Sequence, residues 1–66
     1  MKNSIKVERA RLDMTQQDLA DALEVSRQTI NAIEKGKFNP STILALKISN
    51  LLKKSVNEIF SLEDTD

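Results

Sequence analysis

The chain has 66 residues, ten basic and ten acidic, with zero formal net charge. That length allows a single domain with a small core and little stability to spare. One Gly, one Pro, two Phe and no Tyr or Trp argue against an all-β chain, which needs more β-branched, aromatic and turn residues. The absence of Cys and His removes disulfides, the usual zinc sites, thiol nucleophiles and imidazole chemistry. No metal, cofactor or enzymatic reaction is expected. No apolar run approaches the roughly 20 residues of a bilayer span, and no signal-peptide apolar region is present. A cysteine-free chain without such segments suits the cytoplasm.

Five helices are expected in chain order. The first runs from about Ser4 to Leu12 and ends near Asp13. Thr15 caps the second, Asp18 supplies an acidic first turn, and Leu19, Ala20, Ala22 and Leu23 share one face. Glu24 and Val25 leave room only for a tight turn. Ser26 then caps a third helix, Arg27–Lys35, which stops at Gly36. Phe38-Asn39-Pro40 is a loop, since Pro40 holds Asn39 extended. Ser41 caps the fourth helix, Thr42–Lys53, with Ile43, Leu44, Ala45, Ile48, Leu51 and Leu52 as its buried stripe. Ser55 to Glu58 reads as a capping box for a short fifth helix ending near Phe60. The core spans about residues 5–60. Residues 61–66 read as a tail that frays or pairs with another segment.

Zero net charge counts against nucleic-acid binding, but the charges are unevenly spread. Residues 1–11 hold Lys2, Lys6, Arg9 and Arg11 against Glu8 alone. Residues 58–66 hold Glu58, Glu63, Asp64 and Asp66 with no cation. An acidic tail of this kind conceals a face that is not acidic.

The short link between the second and third helices sets them at a steep angle, as in a helix-turn-helix spanning residues 16–35. Ala20 suits the crossing point, and Val25 and Ile30 fill the angle. On a wheel with Arg27 at zero, Asn31 falls at about 40°, Lys35 at about 80° and Gln28 at about 100°. Ile33 and Ile30 fall near about 240° and 300°, on the core side. The outward stripe therefore carries Arg, Asn, Lys and Gln without a carboxylate. Arg pairs with guanine O6 and N7, and Gln or Asn with adenine N6 and N7. The first turn of a recognition helix reaches base edges, so Arg27, Gln28 and then Asn31 are candidate base contacts. Gln16, at a helix start that favours anions, is a candidate phosphate contact. So are Ser26, Thr29, Lys35, Lys37 and Asn39. A plain solvated helix face is the blander reading of the stripe. Ser26 and Thr29 serve equally well as capping residues.

Arg9 and Glu34 are read as an ion pair joining the first and third helices. Such a pair sets an angle more than it adds stability; two independent surface charges are the alternative.

The runs Thr15-Gln16-Gln17-Asp18-Leu19-Ala20, Val25 to Gly36 and Asn39-Pro40-Ser41 resemble the Cro and phage-repressor (XRE) class of helix-turn-helix proteins. The resemblance covers about Ile5 to Phe60. It implies a five-helix, lambda-repressor-like, all-α fold with helices 2 and 3 as the motif. It also implies homodimeric binding of a palindromic operator in double-stranded DNA, and transcriptional control in the cytoplasm. A DNA contact from Gln16, base readout from Arg27, Gln28 and Asn31, and the Arg9–Glu34 pair are implied as well. Glu24 stands where the class often has Gly; a left-handed Glu costs about 1 kcal/mol. Promoter occlusion, hence repression, is the simplest mechanism. No small-molecule ligand is expected, because a pocket of roughly 300–1,000 Å³ has no place in so short a chain. Leu52, Phe60 and Leu62 are the expected contact between two copies. The rival is a DNA-binding antitoxin or protein-interaction module whose acidic tail holds a basic partner.

Overall fold

The computed structural model describes all 66 residues, Met1–Asp66. The elements are β1 (Lys2–Asn3), α1 (Ile5–Arg11), α2 (Gln16–Leu23), α3 (Arg27–Glu34), α4 (Thr42–Leu52), α5 (Val56–Ile59) and β2 (Phe60–Ser61). The five expected helices are present within one or two residues at their ends.

Four helices start on side-chain caps. The Thr15, Ser26, Ser41 and Ser55 hydroxyls accept from the backbone N–H three residues on. Asp18 and Glu58 return the bond to the Thr15 and Ser55 N–H groups and complete two capping boxes. These bonds hold both carboxyls below the usual carboxylate range. Ser4 does not cap α1 with its side chain. The Asn3 Oδ1 accepts from the Ile5 N–H instead, at 3.2 Å.

Helix ends follow the same local logic. Gly36 is left-handed, with φ 74°. Its N–H donates to Ile33 O, and the Lys37 N–H to Ala32 O. These two bonds satisfy the last carbonyls of α3, which ends at Glu34 with Lys35 as its cap residue. Glu24 is left-handed at φ 58°, and so is Lys53, also at 58°. The turn strain expected at Glu24 is thus present, and α4 stops at Leu52, before Lys53.

The core is one cluster of Ile5, Leu19, Ala20, Leu23, Ile30, Ile33, Ile48, Leu52, Ile59 and Phe60. Ala20 is fully buried, as a residue at a close helix crossing must be. Two expectations fail on burial. Ile43, assigned to the buried stripe of α4, is 69% exposed, and Leu46 beside it is 52% exposed. Leu52 and Phe60, assigned to a contact between copies, are 0% and 7% exposed. The monomer's own core consumes them, and of the three assigned residues only Leu62 faces solvent.

The chain ends differ most from an all-helical picture. β1 and β2 pair antiparallel, Lys2 opposite Ser61 and Asn3 opposite Phe60. The Ser4 N–H extends the pairing by donating to Ile59 O. Beyond β2 the tail folds back on the amino terminus. The Met1 ammonium sits 3.1 Å from Asp66 and 3.6 Å from Glu63. The bond to Asp66 is the chief cause that raises the pKa of this amine.

Candidate nucleic-acid interface

The α2–α3 unit is built so that one helix shows only one side to solvent. Ile30 and Ile33 of α3 are 0% and 1% exposed and pack into the core. Arg27, Gln28 and Lys35 lie on the exposed side, and Asn31 is half-buried between them. A hollow of about 150 Å³ opens between Gln16, Arg27, Gln28 and Asn31, with no apolar residue in its wall. The first turn of α3 and the start of α2 therefore share one surface.

The remaining candidate contacts flank that surface. Ser26 is spent on the cap: its Oγ accepts from the Thr29 N–H at 3.1 Å and lies 2.9 Å from the Thr29 hydroxyl. Lys37 and Asn39 are exposed beyond the end of α3. Lys6, one of the basic residues near the amino terminus, is not among the candidate contacts read from the sequence. It lines a second hollow together with Arg9, Asp13, Gln16, Gln17 and Arg27. Its signal was its position three residues before Arg9, which sets both on one face of α1.

Arg9 and Glu34 form a two-point ion pair, Nε to Oε2 at 2.8 Å and Nη2 to Oε1 at 3.3 Å. Their side chains are only 13% and 6% exposed. A third guanidinium nitrogen, Nη1, donates to Met14 O at 2.8 Å. One arginine thus ties α1 to α3 and to the loop that leads into α2. Planar, paired geometry of this kind is specific to arginine.

The far end of α3 is held by the start of the chain. Asn3 Nδ2 donates to Ile33 O at 2.8 Å. A Cβ on Gly36 would lie 3.3 Å from Met1 O, so the residue that precedes β1 runs close against the helix stop.

No group of three or more acidic, His or Cys side chains is placed to hold a metal ion. No helix is long and apolar enough to cross a membrane. What the arrangement does offer is a rigid, carboxylate-free helix face beside a second helix start, the form of a helix-turn-helix DNA reader.

Comparison with known proteins agrees with that class. The sequence profile described as helix-turn-helix matches residues 5–59. An uncharacterized HTH-type transcriptional regulator of Methanocaldococcus jannaschii, MJ0272, is 52% identical over 66 residues, covering both chains fully. YgzD of Bacillus subtilis, likewise termed an uncharacterized HTH-type transcriptional regulator, is 44% identical over 64 residues, 97% of each chain. A regulator of the same description from Archaeoglobus fulgidus is 41% identical over 66 residues, all of this chain and 93% of its own. The chain belongs to the helix-turn-helix family, in the Cro and phage-repressor (XRE) class.

Proposed function

We propose that the protein is a sequence-specific DNA-binding transcriptional regulator that reads the major groove with α3. It binds an inverted repeat as a symmetric dimer in the cytoplasm and represses by occluding a promoter. One observation carries the reading. The exposed side of α3 carries Arg27, Gln28, Asn31 and Lys35, while its apolar side is locked in the core. Arg27 and Gln28 lie in the first turn and are assigned to base edges. Lys37 and Asn39 are assigned to phosphates.

A single α3 covers few base pairs, so useful affinity calls for two half-sites about 34 Å apart. The molecule measures 31 × 22 × 20 Å. Two copies at that spacing come near each other when their long axes lie along the duplex. The burial of Leu52 and Phe60 removes them from the contact. Ile43 and Leu46, three residues apart on α4 and exposed, offer apolar surface to a second copy in their place.

The rival role, an antitoxin whose tail grips a basic partner, finds less support. Glu63 and Asp66 already face the Met1 ammonium.

Selection of bound sites from random duplex DNA tests the proposal. An inverted repeat is expected. Arg27→Ala should lose roughly 1–3 kcal/mol and relax the preference at one base pair per half-site. Lys37→Ala should weaken all sequences alike and lower the salt dependence. Equal losses on every sequence for both variants would overturn the division between reading and gripping.

A further inference from the structure

The acidic tail plays no part in the helix-turn-helix, yet it folds onto the amino terminus. The Met1 ammonium donates to Asp66 Oδ1 at 3.2 Å and sits 3.6 Å from Glu63 Oε1. The bond to Asp66 raises the pKa of the amine, which keeps it charged at neutral pH. A short turn fixes both carboxylates: the Glu63 N–H donates to Asp66 Oδ2 at 2.7 Å, and the Asp66 N–H to Glu63 O at 3.0 Å. The cluster lies at the end of α3. Met1 and Glu63 line a hollow of about 260 Å³ together with Lys35 and Gly36. The other carboxylate in its wall, Glu34, is engaged by Arg9. The amine and its two partners stay partly open to water, and ion pairs so exposed hold weakly.

We propose that the Met1 ammonium is a phosphate contact of the DNA-bound protein, and that Glu63 and Asp66 occupy this anion site until a duplex displaces them. The inference rests on α3 being the reading helix, because Lys35 belongs to its outward stripe and a duplex against that stripe passes the hollow. Phosphate oxygens, like carboxylates, only accept hydrogen bonds, so one replaces the other on the same ammonium. The phosphate backbone is the denser anion. Its condensed counterions are released when a protein cation takes their place, a gain that the tail carboxylates do not supply. The tail is thus a competitor built into the chain. It lowers affinity for every sequence alike, since phosphate contacts carry no base information, and leaves discrimination to α3.

The test is binding to a random-sequence duplex from about 50 to 200 mM salt. Four full-length chains made by chemical synthesis are compared: the unsubstituted protein, Glu63→Gln/Asp66→Asn, and each of these with an acetylated Met1 amine. Thermal melts confirm folding. With a free amine, Glu63→Gln/Asp66→Asn should bind severalfold tighter. Its acetylated counterpart should bind more weakly than the free-amine variant, with a salt slope smaller by about one. That difference should shrink by about threefold across the salt range. In the unsubstituted protein, adding duplex should move the Glu63 and Asp66 amide NMR signals toward those of a disordered chain. Three results would overturn the inference while leaving DNA reading intact. These are acetylation that changes neither affinity nor slope in the tail variant, a gain from the tail variant that is equal with and without the acetyl group, or tail signals unmoved by bound duplex. An unsubstituted protein that binds no duplex would overturn both.

Discussion

The two ends of α3 are held by different means. Its first turn is placed by what immediately precedes it: α2, the left-handed Glu24 and the Ser26 cap. Its last turn is placed by Asn3, which reaches Ile33 O from 30 residues away, and by the Met1 backbone running past Gly36. At that same last turn Arg9 fixes Glu34 from 25 residues away. The first turn is thus set by local rules, and the last by a local stop at Gly36 to which long-range contacts are added. A reading helix needs both, because an error in its tilt moves every side chain on its outer face.

Breaking what the two ends share should have the largest effect. Ile30 is fully buried under α3, and Ile30→Ala should cost about 2–5 kcal/mol. Against a total stability of order 3–10 kcal/mol for a chain this size, urea denaturation should show a protein unfolded or nearly so. A loss under about 1 kcal/mol would mean that α3 is not anchored through this residue.

Asn3→Ala sharpens the comparison by releasing the last turn alone. It removes the bonds to Ile33 O and from the Ile5 N–H, worth about 1–2 kcal/mol together. Amide exchange should quicken at the end of α3 and the start of α1 before it changes at Arg27–Thr29. Uniform quickening along α3 would show that its two ends are not held independently.

The smallest effect is expected from Asp18→Asn, which touches only the support of the first turn. Bonds from the Thr15 N–H and hydroxyl hold the Asp18 carboxyl below its ordinary range. A carboxyl lowered by folding contributes stability that is present above its unfolded value and lost as pH falls through the folded one. The protein should therefore weaken in urea as pH drops below about 4. The variant should show a shallower acid limb, but not a flat one, because Glu58 is lowered for the same reason. Identical acid limbs for the two proteins would exclude the Asp18 box as a contributor.

Much of this was legible in the residues themselves. Caps at Thr15, Ser26, Ser41 and Ser55, the stop at Gly36, and the outward stripe of α3 depend on groups within a few positions of each other. The same periodicity puts Ile43 on the buried face of α4, yet it is 69% exposed. A wheel shows which residues share a face, but not how much of that face neighbouring helices cover. The surface role given to Leu52 and Phe60 failed for a related reason. The apolar residues near the end of the chain belong to the same core cluster as Ile5, and Phe60 pairs with Asn3 of β1.

The amino-acid sequence by itself determined the helices, their caps, the helix-turn-helix and which side chains of α3 look outward, because periodicity and short-range hydrogen bonds act within a turn or two. Tertiary structure alone decided that the chain ends pair as strands, that Asn3 holds the stop of α3, and that Gln16 spends its donors on Glu34 and Asn31. Those outcomes depend on which groups meet across tens of residues, where the competition for each donor and acceptor is settled by geometry that no local pattern encodes.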